Sequence, residues 1–159
     1  MVGFLKANSG KKGEGMPVVR NPQFYFKEGF CWSDINTTFL KCRKKQKSIN
    51  DVKSMSLYTL TEIVPEYYMI CIINSIFMSY YVDDFVNNTQ TFQINDARQL
   101  PICIPTLEQL FYCKILYNRA VELKRSVFNS IADETDIEQE LFEIEKELNL
   151  FVNELYYFV

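Results

Sequence analysis

From Thr106 onward, apolar residues recur at alternating spacings of three and four. Cys113, Leu116, Ala120, Leu123 and Val127 form one series, and Ile137, Leu141, Ile144, Leu148, Phe151, Leu155 and Phe158 form a second. Such alternation keeps one side of an α-helix apolar along its length, as in a heptad seam. The "NSIADETD" between the series is short and polar, so the two helices are expected to fold back as an antiparallel pair. Glu138, Glu140, Glu143, Glu145 and Glu147 fall mainly off the seam and read as a solvated face rather than a metal site.

The pattern upstream is different. "YYMICIINSIFMSYYV", residues 67 to 82, carries no charge and has no polar face. It falls short of the ~20 residues that a membrane-spanning helix needs, and Asn74, Ser75 and Ser79 interrupt it, so a helix covered on most sides is expected. Pro65 and Glu66 suit its first turn, and Asp83-Asp84 and Asn87-Asn88 should end it in a loop. Between residues 21 and 60 the runs "QFYF", "TTFLKC" and "SINDV" are short and β-like, with the basic run Lys41 to Lys47 on a connection between strands. "TFQI" reads as one more strand. Residues 6 to 16, "KANSGKKGEGM", have little to bury and read as a flexible lead-in.

Composition narrows the chemistry. The 159 residues are 48% hydrophobic and 15% aromatic, enough for a well-filled core in one domain. There is no histidine, and the five cysteines include no Cys-x-x-Cys pair. Ser/His and Cys/His catalysis, zinc sites and a disulfide framework are therefore not expected, and the thiols read as reduced, mostly buried groups of a cytoplasmic protein. No secretory signal opens the sequence. The net charge of −3 conceals a division: residues 1 to 60 carry 11 basic and 4 acidic groups, and the remaining 99 carry 6 basic and 16 acidic. A basic part that meets polyanions is the simplest physical meaning.

One near-motif misleads. Asn21-Pro22-Gln23-Phe24 comes within one residue of the Asn-Pro-Pro-Phe/Tyr loop with which amino-methylating DNA methyltransferases hold a flipped base. That chemistry needs a methyl donor held by a glycine-rich strand-to-helix turn upstream. Only twenty residues precede Asn21, and no such turn occurs in them or later. The Asn-Pro reads as a turn.

The residues that follow carry a resemblance. "FYFKEGFCWSDI", "INDVKSMSLY", "CIINSIFMSYYV" and "TFQINDARQLPICIP" occur in that order over about residues 21 to 110. This resembles the C-terminal target-recognition region of large bacterial adenine-specific DNA methyltransferases, namely the TaqI-like and type IIG restriction-modification enzymes and those of bacteriophage-exclusion systems. In that family a "YFKEGxxWS" strand, a "DVxGSS" segment, a helix with "LNS" and "FQxxDIxxLPI" lead into closing helices. Here Met55 stands where small residues are usual, Ala97 replaces the usual Ile, and the basic connection is short.

The resemblance implies a module that docks on double-stranded DNA beside a methyltransferase catalytic domain or subunit, with no cofactor and no catalytic residue of its own. Lys41, Arg43, Lys44, Lys45 and Lys47 would neutralise phosphates, and Arg43 can also make a bidentate contact to guanine. Gln46, Asn50 and Ser54 would add hydrogen bonds to bases or phosphates, and Lys27 either pairs with Glu28 or faces phosphate. Trp32 reads as core or as a ring beneath the DNA-facing surface, and Phe92, Ile94 and Leu100 as packing.

The expected fold is α+β: a small twisted β region with a buried helix, followed by a C-terminal antiparallel helical hairpin. Its divisions are a lead-in at 1–20, a target-recognition domain at 21–105 and a spacer or docking arm at 106–159. A chain beginning with this region would be a separate specificity subunit or the tail of a truncated enzyme. Two other readings stand beside it. One is a protein-interaction module acting through the acidic helical pair; the other is a remnant that takes part in methyl transfer only within a complex.

Overall fold

The computed structural model describes residues 22–36, 39–50, 53–131 and 133–157. The expected lead-in and Asn21 lie outside them. The architecture is α+β. Among the described residues, β1 (Gly29–Ser33), β2 (Cys42–Lys45) and β3 (Ser54–Leu57) form one antiparallel sheet in the order β2-β1-β3. Phe30 pairs with Lys44 and Leu57, and Cys31 with Arg43 and Ser56.

Side chains alternate across a sheet, and directly opposed residues share a face. Phe30, Trp32 and Cys42 therefore project to one face, with Met55 and Leu57 beside them, and there they join Leu40, Ile70, Ile73, Val82 and Phe92 in an apolar cluster. Trp32 is core: it is 1% exposed, and its indole N–H donates to the Phe92 carbonyl at 2.9 Å.

Helix α1 (Glu66–Ile73) explains the chargeless run. Its Ile70 and Ile73 pack on the sheet, while Tyr68, Cys71 and Ile72 enter a second cluster with Met78, Cys113, Phe151 and Val152. Lying between sheet and hairpin, the helix is covered on most sides, so it needs no polar face. It does not continue to Val82 as expected. The run breaks at Asn74-Ser75 and turns by 65° into α2 (Ile76–Tyr81), followed by a π-helical turn at Val82–Val86 that includes Asp83 and Asp84.

The cause of the break is local side-chain chemistry. Ser75 caps α2, its hydroxyl accepting from the Met78 N–H at 3.1 Å. The Asn74 amide accepts from the Cys42 N–H at 2.6 Å and donates to the Cys42 carbonyl at 2.9 Å, closing the outer edge of β2. No single helix among the described residues is long and apolar enough to cross a membrane.

Three β-like runs are corrected. "QFYF" contains a 3-10 turn at Pro22–Phe24, closed by Tyr25 N–H to the Pro22 carbonyl. "TFQI" makes one bridge, Thr91 to Ile35, and then enters the short helix α3 (Ile94–Ala97), because Gln93 and Asp96 form a capping box. The strand expected in "SINDV" lies later, at β3, and Asp51 and Val52 are outside the described residues, as are Thr37 and Thr38 of "TTFLKC".

The hairpin consists of α4 (Leu107–Phe128) and α5 (Glu134–Tyr156), capped by Thr106 and Asp133. Its seam is buried at Cys113, Leu116, Ile137, Ile144 and Phe151 and half-buried at Ala120, Leu123, Val127, Leu141, Leu148 and Leu155. Phe158 lies outside the described residues. The two main clusters take in nothing of α4 beyond Tyr117 and nothing of α5 before Leu148, so toward its tip the hairpin packs on itself. At its base the seam packs on α1 and α2 as well as on α4. All five cysteines are free thiols, four of them buried and Cys103 half-buried.

Candidate nucleic-acid interface

The face of the sheet turned away from α1 carries Gly29, Cys31 and Ser33 on the central strand, Arg43 and Lys45 on one side, and Ser54 and Ser56 on the other. Arg43, Cys31 and Ser56 form one row across it, and Ser33 and Ser54 form the next. Asn50, ahead of β3, donates from its side-chain amide to the Ser56 hydroxyl. Arg43 is exposed, Ser54, Ser56 and Asn50 are half-exposed, and Cys31 is buried beneath its neighbours. The outer face is thus a polar plate of hydroxyls and one amide with a guanidinium at its side.

The basic run lies largely within a strand, not on a connection. Arg43, Lys44 and Lys45 are in β2 itself, because Cys42 supplies the apolar inward residue and Asn74 closes the strand's free edge. Lys41, Gln46 and Lys47 are exposed beside this plate, while Lys44, paired with Phe30, is exposed at the edge of the opposite face. Among the described residues, none of Lys41, Arg43, Lys44 and Lys47 is held by a carboxylate. Lys53 bonds Asp34 at 3.0 Å, behind the end of β1, where the other Asp34 oxygen has no hydrogen-bond partner among the described residues.

Lys45 departs from the expected phosphate contact. Its side chain is buried, and the ammonium donates to the carbonyls of Lys27 at 2.7 Å and Ser48 at 2.8 Å while lying 5.5 Å from the centre of the Tyr58 ring. Tyr58 stacks on Phe24 at 5.2 Å, and the Lys27 ammonium covers Phe24 at 5.2 Å. Lys27 makes no ion pair with Glu28 among the described residues and sits at the end of a Lys-Phe-Tyr-Lys stack that buttresses the plate's upper end. Gly29 lies beneath that stack: a Cβ there would meet the Leu57 carbonyl oxygen at 2.5 Å and the Tyr58 ring at 2.7 Å.

The structure thus brings Arg43, Asn50 and Ser54 to one face with Lys41, Gln46 and Lys47 exposed beside it, and puts Lys44 on the other face, opposite Phe30. Ser33, Ser56 and the Phe24–Tyr58 stack belong to the same face and were not among the expected site residues. The period-two alternation of "SMSL", polar-apolar-polar-apolar, is the signal that could have found Ser56. Behind the plate, burial first and Cys31 second push the Cys42 thiol up.

A two-stranded or small β-sheet fits the major groove of B-DNA, which is ~12 Å wide, and bonds from Arg, Asn and Ser are the kind that read base edges there. No protein-family model matches the chain, and no curated protein matches it closely enough to be counted a relative.

Proposed function

We propose that this chain is a sequence-specific DNA-binding module, the target-recognition part of an adenine-specific DNA methyltransferase of the restriction-modification type. Catalysis belongs to a separate domain or subunit in this reading, and the likeness of residues 21 to 110 to that family's ordered motifs supplies the methyltransferase context. The observation that carries DNA binding is the outer face of the sheet. It places one guanidinium, an amide and three hydroxyls on a rigid plate and surrounds them with lysines that no carboxylate holds among the described residues. Phosphate contacts by Lys41 and Lys47 would position the module, and Arg43 with Asn50 would read bases.

Selection from a randomised duplex library tests the reading. The wild-type chain is expected to enrich a defined sequence containing a guanine. Arg43→Ala should cost ~1–3 kcal/mol on that sequence and much less on unselected duplex. A library that stays random, or an equal loss on all duplexes, contradicts base reading by Arg43.

A further inference from the structure

The second charged region of the molecule is unrelated to the plate. Helix α5 carries eight acidic residues and a single basic one, Lys146. Glu140 pairs with Arg119 of α4. On the flank where these helices meet, an open groove of about 610 Å³ runs between Thr106–Tyr112 and Glu147–Glu154. Its floor is rigid: the Tyr112 hydroxyl bonds Glu147 at 3.1 Å, and its ring packs on Phe151 at 5.6 Å.

Apolar side chains stand uncovered beside this floor. Leu150 is 57% exposed, and Phe111 and Ile115, one helical turn apart on α4, are 69% and 49% exposed. Solvent does not favour such residues, and among the described residues they remain largely uncovered. Glu108, Glu147 and Glu154 line the same groove. An apolar strip edged by carboxylates complements a segment that carries apolar residues on one side and lysine or arginine beside them.

We propose that the groove bounded by Glu108, Tyr112, Glu147, Leu150, Phe151 and Glu154 is a docking site for a basic amphipathic helix of a partner protein. The occupant's apolar side lies along Tyr112, Leu150 and Phe151, and its cations meet Glu108 and Glu154. The inference does not rest on the DNA-binding reading, since the plate and the groove share no residue.

The probe is a synthetic helical peptide of leucine and lysine, with leucines spaced three and four residues apart, titrated against the full chain. It is expected to bind, and Glu108→Lys with Glu154→Lys should weaken it by at least about tenfold. Glu138→Lys with Glu145→Lys makes the same change of charge on the opposite flank of α5 and should leave affinity within about twofold. Replacing the peptide's leucines by serine should abolish binding. All four positions are exposed, and unchanged thermal unfolding confirms that the variants fold. Equal weakening by both charge pairs, or undiminished binding of the serine peptide, would overturn the proposal by showing diffuse attraction alone. Self-association of the free chain that Leu150→Ser abolishes would overturn it too, since a second copy would then be the occupant.

Discussion

Gly29 sits where a side chain has no room, with the Tyr58 ring and the Leu57 carbonyl occupying the space. Gly29→Ala must push the ring away, unstacking it from Phe24 and uncovering Lys45. A loss of ~1–3 kcal/mol in denaturant unfolding is expected, as for overpacking at a tight site, and an unchanged midpoint would contradict this packing. At this scale the sequence was legible where burial decides a residue's place: Trp32, Phe92 and the cysteines lie in or beside the core as their types suggest. It was misleading for Lys45. A lysine in a basic run reads as solvated, and only the tertiary structure brings the Lys27 and Ser48 carbonyls and a tyrosine face around its ammonium.

The break at Asn74-Ser75 governs the arrangement of elements. By turning the chain there, the molecule lets α1 cover the sheet while α2 turns toward α5, where the Ile76 N–H donates to the Asn149 side chain at 2.8 Å. Asn74→Ala removes both bonds to Cys42 and leaves the edge of β2 open. A loss of ~1–3 kcal/mol and faster hydrogen exchange at the Cys42 amide should follow; unaltered exchange would show that the edge is held otherwise. The hairpin was readable because seven positions in strict alternation admit only a helix. The break was not, since hydrophobicity alone cannot distinguish one long buried helix from two short ones, and "TFQI" shows the same ambiguity for a short run. The polar plate was only half visible, because the pairing that sets Ser56 beside Cys31 and Arg43 is a matter of register between distant segments.

Over the whole molecule, the charge division seen in the sequence becomes a spatial one, with exposed lysines around the sheet and carboxylates along α5. The core between them holds hydroxyl and thiol groups whose ionisation opposes folding. Burial is the largest cause raising Tyr68 and Tyr156, whose hydroxyls donate to the Cys103 and Pro101 carbonyls, and also Cys42; for Cys71 the bond with Cys113 comes first. An acid whose folded pKa is raised loses its proton first in the unfolded chain, so stability is full below the unfolded value and falls above it. Stability should therefore decline as pH rises past ~8.5 for the thiols and ~10 for the phenols. Unfolding midpoints at pH 7, 9 and 10.5 check this on an approximate scale of pH set by those values; equal midpoints would contradict it. The central claim, that the basic plate meets duplex DNA, is tested most directly by the dependence of duplex affinity on salt. Affinity should fall linearly in log–log form, and Lys41→Ala with Lys47→Ala should reduce the slope by about 0.9 for each phosphate left without its lysine, with the fold intact. Affinity that ignores salt, or a double variant with the wild-type slope, would contradict the account.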